Sequence, residues 1–128
     1  MAPTCFCLDT HCLLWWLDHP SVIAVPTRKL ISDPSNDIFI SAAVIWEIAI
    51  KQSIGKLTVI GDVDLCIAKS NFNRLPIAFE HAWFTKKLPM IHKDPFDRIL
   101  IAQAMVESAT IVTRDANIPL YGVPYELA

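Results

Sequence analysis

Short apolar segments alternate along this chain with longer segments in which apolar residues recur at the spacing of an amphipathic helix. The apolar segments predict strands over residues 4–8, 37–40, 74–76 and 110–113. The longer segments predict helices over residues 10–17, 27–32, 41 to about 53, 62–72, 80–87 and 94–108. A loop bracketed by Pro20 and Pro26, a turn at 33–36 and a weak edge strand in the tail after Asn117 complete the prediction.

Alternation of strands and helices predicts the fold class. The strands are short and apolar throughout, which is typical of a parallel sheet covered by helices on both faces. A length of 128 residues fits one domain with a single sizeable core. The sequence contains no internal repeat, low-complexity tract or linker, so we predict an α/β protein in which residues 1–128 form one domain.

Composition adds three expectations about the surroundings of the protein. Apolar residues make up 53% of the chain and mean hydropathy is +0.39, which indicates a folded protein with some surface covered by a partner or a second copy. No apolar run reaches the roughly 18 residues of a membrane span, and no secretory signal is visible. The four cysteines lack zinc-site spacing, which favours reduced thiols in a cytoplasmic protein. A net charge of −2 does not by itself indicate a nucleic-acid binder.

Acidic residues interrupt or flank apolar segments at separate places: Asp9, Glu47, Asp97 and Asp115. Two of them follow predicted strands, and the other two lie on predicted helices beside the buried stripe. Ligand sites of open α/β sheets lie beyond the carboxyl ends of the strands. Two carboxylates about 4 Å apart repel by ~4 kcal/mol at an effective dielectric constant of ~20. A shared site would therefore need a divalent ion, and oxygen ligands suit Mg²⁺ or Mn²⁺.

Each acidic residue also has a local interpretation, which the sequence leaves open. Asp94 before Pro95 is a strong helix N-cap, and Asp97 would then stabilise the first helical turn. Asp9 and Asp115 could cap turns. Glu47 could pair with Lys51, one helical turn further on.

Basic, histidine and tryptophan side chains near these acids are secondary candidates. Lys51, Arg98 and Arg114 could contact phosphates, although pairing on the surface explains them as well. His11 and His92 could touch a substrate or lie on the surface as ordinary polar residues. The pair Trp15 and Trp16 could contact a partner or belong to the core.

Five segments around these residues together resemble the PIN-domain (PilT N-terminus) family, specifically the VapC-type ribonuclease toxins of type II toxin–antitoxin systems. The segments, which occur in the order of the family, are LDTHCLLWWL (8–17), ISAAVIWEIAIK (40–51), LPI (75–77), DPFDRILIAQA (94–104) and IVTRD (111–115). The cysteines at positions 5–12 depart from the aliphatic residues that are usual there, without affecting the acidic residues.

The resemblance implies a three-layer α/β/α sandwich and an endoribonuclease that depends on one or two Mg²⁺ or Mn²⁺ ions. Family positions place metal ligands and catalytic acids at Asp9, Glu47, Asp97 and Asp115, a supporting hydroxyl at Thr113 and an additional outer ligand at Asp94. It further implies an RNA substrate, a cognate antitoxin and a homodimer. Two other hypotheses remain open: a PIN-like module that binds RNA or protein without cutting, and an RNA-processing nuclease without an antitoxin.

Overall fold

A fully parallel sheet forms the centre of the computed structural model, which describes residues 4–58 and 61–128. Within these residues the sheet has five strands: β1 (Cys5–Leu8), β2 (Asp37–Ser41), β3 (Asn73–Leu75), β4 (Thr110–Thr113) and β5 (Tyr125–Leu127). Their spatial order is β3-β2-β1-β4-β5, so β1 lies in the middle and the two shortest strands form the edges. The prediction of one domain over residues 1–128 also includes residues 1–3 and 59–60, which lie outside the described residues.

Helices cover both faces of this sheet. They are α1 (Thr10–Asp18), α2 (Val25–Ser32), α3 (Ala42–Ser53), α4 (Val63–Lys69), α5 (Phe79–Phe84) and α6 (Pro95–Glu107). Single turns of 3₁₀-helix lie at Pro20–Val22, Thr85–Lys87 and Ile118–Tyr121. In the described part of the chain, no helix combines the length and the apolar character that crossing a membrane requires.

Two separate apolar clusters lie on opposite sides of the sheet. Because side chains alternate along a strand, Phe6 and Leu8 of β1 face one cluster and Cys7 faces the other. The first cluster packs against α1, α2, α3 and α4, and the second packs against α6 and the 3₁₀-helix at Ile118–Tyr121. This layered arrangement confirms the predicted α/β/α sandwich.

The connections create a crevice between β1 and β4. The chain proceeds outward from β1 to β2 and β3, and then returns through α5 and α6 to place β4 on the other side of β1. Parallel sheets of this kind bind ligands where the strand order reverses, beyond the carboxyl ends of the strands. The residues that follow β1 and β4 therefore occupy the favoured position for a functional site.

Several predicted boundaries are wrong in detail. Pro26 does not end a loop but lies in the first turn of α2, where a proline is accommodated because amide hydrogens there have no helical partner. The helix predicted to reach residue 72 ends at Lys69, since Asn71 takes a left-handed conformation with φ of 59°. The helix predicted over 80–87 is α5 followed by a 3₁₀ turn, and the strand predicted at 74–76 begins one residue earlier. The weak edge strand in the tail is β5.

Candidate active site at the carboxyl edge of the sheet

Asp9 and Asp115 follow the two strands that flank the crevice. Asp9 comes directly after β1, and Asp115 lies two residues after the end of β4. The Thr113 hydroxyl connects them: it donates to Oδ2 of Asp9 at 2.5 Å and accepts from the backbone amide of Asp115 at 3.0 Å. The strand register that places Leu8 opposite Val112 explains why these residues meet. Thr113 therefore supports both acidic residues.

Asp9 is the most deeply buried acidic residue of the site. Its side chain also accepts from the backbone amide of Cys12 at 2.8 Å, so Asp9 caps α1 as well as facing the crevice. Burial is the largest influence on this carboxyl group. It outweighs the hydrogen bonds from Thr113 and Cys12 and raises the pKa of Asp9. The predicted capping role and a role in a shared site are thus compatible.

Asp97 reaches the same crevice from α6. It is the third residue of that helix, after the N-cap Asp94, whose side chain accepts from the amide of Phe96 at 2.9 Å. Asp97 Oδ2 lies 2.9 Å from Nε2 of His92, and the same nitrogen lies 3.0 Å from Oδ2 of Asp115. One imidazole nitrogen therefore bridges two carboxylates from different parts of the fold.

The negative charges in the crevice perturb each other. Burial and the neighbouring charge of Asp94 raise the pKa of Asp97 to about 7, with smaller contributions from Asp115 and Asp9. Burial would also raise the pKa of Asp115, but hydrogen bonds from the Asn117 amide and from His92 outweigh it and lower that pKa. A strongly perturbed carboxyl group in a crevice is typical of a functional site.

Glu47 lies beside this group on α3. It is 6% exposed, its Oε1 accepts from the Thr10 hydroxyl at 2.6 Å, and its Oε2 pairs with Lys51 at 2.7 Å. Thr10 directly follows Asp9 in the chain, so Glu47 adjoins the crevice through that residue. The alternative interpretation of Glu47 as the partner of Lys51 is also present in the structure, and the two do not exclude each other.

The predicted basic residues differ in the contacts that their charged groups make within the protein. Arg98 donates to the backbone carbonyls of Pro89 and Thr85 at 2.9 and 3.2 Å and also to the Tyr121 hydroxyl. Through these contacts the guanidinium of Arg98 fixes the segment before α6, which includes His92. Lys51 is held by Glu47 and is partly exposed, and Arg114 borders the crevice near Asp115.

The donor set of the crevice fits a hard divalent ion. Ligand atoms of His92, Asp97 and Asp115 all lie within 4.8 Å of one another, and Asp9 adds a further carboxylate to the same electrostatic neighbourhood. Carboxylate oxygens are the preferred ligands of Mg²⁺ and Mn²⁺. Burial and the neighbouring acids, which together raise the pKa of Asp97, disfavour its ionised form, and a bound cation would favour it.

His92 fits the role of a hydrogen-bond donor better than that of a metal ligand. The backbone amide of Asp94 donates to Nδ1 of His92 at 3.3 Å, so the neutral ring carries its hydrogen on Nε2. A metal-bound histidine normally donates its other ring hydrogen to an acceptor, whereas this ring offers its other nitrogen to a donor. Burial lowers the pKa of His92, but the hydrogen bond to Asp115 and the nearby charges outweigh it and raise that pKa.

The sequence leaves His92 open as a substrate contact or an ordinary surface residue, whereas in the structure its side chain is 17% exposed and lies between two acids. Position 92 is five residues before Asp97, outside the helix, and the intervening loop has no periodicity that could predict its direction. His11, in contrast, is exposed.

The sequence matches the PIN domain family over residues 6–123. No curated protein matches it. Among solved structures, the fold is similar to a chain of VapBC2 from Rickettsia felis bound to a DNA fragment from their promoter, with a TM-score of 0.74 and 17% identity over 96% of this chain and 98% of that one.

Two further structures are similar. A chain of DNA-bound VapBC from Salmonella typhimurium aligns with a TM-score of 0.69 and 16% identity over 96% of this chain and 97% of that one. A chain of FitAcB from Neisseria gonorrhoeae aligns with a TM-score of 0.62 and 17% identity over 95% and 96%. At these identities the likeness establishes the fold.

Proposed function

The chain belongs to the PIN domain family, and on this premise we propose that it is a metal-dependent endoribonuclease and the toxin of a toxin–antitoxin pair. The single observation that carries the proposal is the acidic crevice between β1 and β4. Ligand atoms of Asp97 and Asp115 lie within 4.8 Å of each other there, Asp9 lines the same cleft as Asp115, and the pKa of Asp97 is raised to about 7. A group of acids that is unfavourable alone and fits a divalent ion is what a metal-dependent phosphodiesterase needs.

Asp9, Asp97 and Asp115 would hold the ion, with Glu47 at the edge of the same site and Asp94 outside it. Bound there, Mg²⁺ or Mn²⁺ would polarise a phosphate oxygen and lower the pKa of a water molecule that attacks the phosphorus. If Glu47 binds the same ion as Asp9, Asp97 and Asp115, the crevice would hold one ion. If Glu47 forms a separate site, it would hold two.

The residues around the acids keep them in position. Thr113 fixes Asp9 and the turn that carries Asp115, while Arg98 holds the segment that carries His92. Lys51 pairs with Glu47 and so helps to hold its carboxylate in place. Preorganised ligands of this kind spare the protein the cost of rearrangement when an ion and a phosphate bind.

An antitoxin and a homodimer are the partners that we propose. The similar structures are VapBC and FitAB complexes, which are toxin–antitoxin complexes. In this chain the large apolar side chains of Phe79, Trp83 and Trp46 are 84%, 62% and 59% exposed. Aromatic surface of this extent is typical of protein interfaces and supports at least one protein partner.

Cleavage of RNA tests the proposed activity. We expect the purified protein to cut RNA with Mg²⁺ or Mn²⁺, to lose activity in EDTA, and to lose it in the Asp9→Asn and Asp97→Asn variants. Asp64→Asn is the matched control, because Asp64 is an exposed acid that pairs with Arg74 away from the crevice. Unchanged cleavage in both crevice variants would defeat the assignment, and RNA binding without any cleavage would favour the non-catalytic binding module.

The genomic neighbourhood tests the toxin role separately. A small adjacent reading frame whose product binds this chain and suppresses cleavage supports the toxin–antitoxin pair. Cleavage by a protein that has no such neighbour would favour an RNA-processing nuclease.

A further inference from the structure

An open cleft of about 340 Å³ lies directly beside the acidic crevice. Its lining residues are Asp9, His11, Trp15, Arg114 and Asp115. The two acids belong to the proposed metal site, and the other three side chains, His11, Trp15 and Arg114, form what we call the planar wall. A cleft of this volume is at the lower end of the range for small-molecule sites.

Two of these planar groups lie one helical turn apart on α1. The rings of His11 and Trp15 have centroids 6.0 Å apart and planes inclined by 35°. The guanidinium carbon of Arg114 lies 4.4 Å from the centroid of the Trp15 ring, within the range of a cation–π contact. Three π-systems with one positive charge therefore line the side of the cleft next to Asp9.

Backbone carbonyls fix the guanidinium of Arg114 in this position. Its Nε and Nη2 donate to the carbonyl of Ala128 at 3.0 and 2.8 Å, and Nη2 also donates to the carbonyl of Val22 at 2.7 Å. Among residues 4–58 and 61–128, none accepts a hydrogen bond from Nη1. The charge is thus held in place with one donor group available to a ligand.

Trp15 differs from its neighbour Trp16 in the contacts that its side chain makes. The indole nitrogen of Trp16 donates to Ser70 at 3.2 Å and its ring packs on Phe72, so Trp16 serves the contact between α1 and the segment after α4. Trp15 packs only partly against the core and contributes to the cleft. Both tryptophans are thus half-buried against the first apolar cluster, and Trp15 also lines the cleft.

From this arrangement we propose that the planar wall binds an unpaired nucleobase of the RNA, next to the phosphodiester that the acidic crevice would cut. The inference rests on the proposed function and deepens it by assigning His11, Trp15 and Arg114 to a base-binding subsite. Every base has a π-face that can stack on an aromatic ring or a guanidinium plane, and Arg114 Nη1 offers a donor for an adjoining phosphate. Bases within a duplex stack on each other and cannot use the wall.

The test compares two substitutions of Trp15 in an Asp97→Asn background with EDTA, where RNA is not cut. Trp15→Leu keeps an apolar side chain for packing and removes the π-face, while Trp15→Phe keeps both. Trp83→Leu is the matched control, because Trp83 is exposed on α5 and does not line the cleft. The probes are a fluorescent oligouridylate of about 12 nucleotides, near the upper end of known single-strand site sizes, and an RNA duplex of equal length, both measured by anisotropy.

We expect Trp15→Leu to weaken binding of the oligouridylate by about 5- to 150-fold, the range for losing one base–aromatic stack. Duplex affinity should stay unchanged, and Trp15→Phe and Trp83→Leu should bind both probes like the parent. Equal affinity of Trp15→Leu and the parent for the single strand would overturn the inference. Equal losses on single strand and duplex, or a parent that binds no RNA, would overturn it too. If wild-type protein cleaves RNA while Trp15→Leu binds normally, the proposed function survives and the base site alone is wrong.

Discussion

Replacing Asp97 with asparagine should stabilise the metal-free protein at about pH 8, although it removes a proposed catalytic residue. Asparagine has nearly the shape of the neutral carboxylic acid and cannot ionise. The change therefore removes a negative charge that burial and the neighbouring acids oppose. A gain in the free energy of unfolding at the cost of activity is the expected pattern for a preorganised charged site.

The magnitude follows from the pKa of Asp97, which rises from 3.8 to about 7 on folding. At ~1.4 kcal/mol per pKa unit, ionising this group costs the folded state at most about 4 kcal/mol. Loss of the contact with His92, 2.9 Å away, offsets part of the gain. We expect a net stabilisation of about 2–3 kcal/mol above pH 7.

The pH dependence has a definite sign. Between about pH 4 and 7 the folded protein keeps a proton on Asp97 that the unfolded chain has released, so the contribution of Asp97 to the stability of the metal-free wild type falls as pH rises through that range. The advantage of Asp97→Asn should therefore be small at about pH 4 and grow by roughly 2 kcal/mol between about pH 5 and pH 8.

Urea unfolding followed by tryptophan fluorescence, in EDTA at about pH 5 and about pH 8, measures this difference. Asp64→Asn provides the control, since it removes an exposed acid and should leave the pH dependence unchanged. Millimolar Mn²⁺ should then stabilise the wild type and leave Asp97→Asn almost unaffected, because a ligand stabilises only the form that binds it. A variant that is less stable at both pH values, or equally stabilised at both, would refute the electrostatic reasoning.

Three further predictions concern neighbours of the acidic residues. Thr113→Val removes the hydroxyl shared by Asp9 and Asp115, so we expect a loss of about 1–3 kcal/mol of stability by urea unfolding and weaker Mn²⁺ binding by calorimetry, whereas unchanged values would show that the hydroxyl is dispensable. His92→Ala should bind Mn²⁺ more tightly at about pH 8, because a competing donor is removed; weaker binding would identify His92 as a ligand after all. Arg98→Ala should lower the free energy of unfolding by about 1–3 kcal/mol, since it removes the charged hydrogen bonds to the carbonyls of Pro89 and Thr85, and an effect near zero would contradict the positioning role.

Much of the architecture was predictable because periodicity and local chemistry agree. The strands after which Asp9 and Asp115 lie are short apolar runs, and the cap at Asp94 followed by Pro95 determines where α6 begins. Parallel strands place their carboxyl ends at one edge, so the approximate position of the site could be inferred from topology alone.

The remaining features depend on contacts between distant segments, which no local pattern contains. His92 lies in a loop whose direction is set by the guanidinium of Arg98 and by the Tyr121 hydroxyl, which accepts from the His92 amide at 2.7 Å. Arg98, a candidate phosphate contact, donates through Nη1 and Nη2 to the backbone carbonyls of Pro89 and Thr85. The different environments of Trp15 and Trp16 likewise arise from partners far along the chain.

The hydrogen bond between Thr113 and Asp9 joins residues 104 positions apart in the chain. During synthesis this bond can form only after Thr113 has left the ribosome. Until then β1 lacks its neighbour β4. In the shorter nascent chain the acidic side chains after β1 and β4 are not yet held together. The acidic crevice therefore forms only after β4 has left the ribosome and paired with β1.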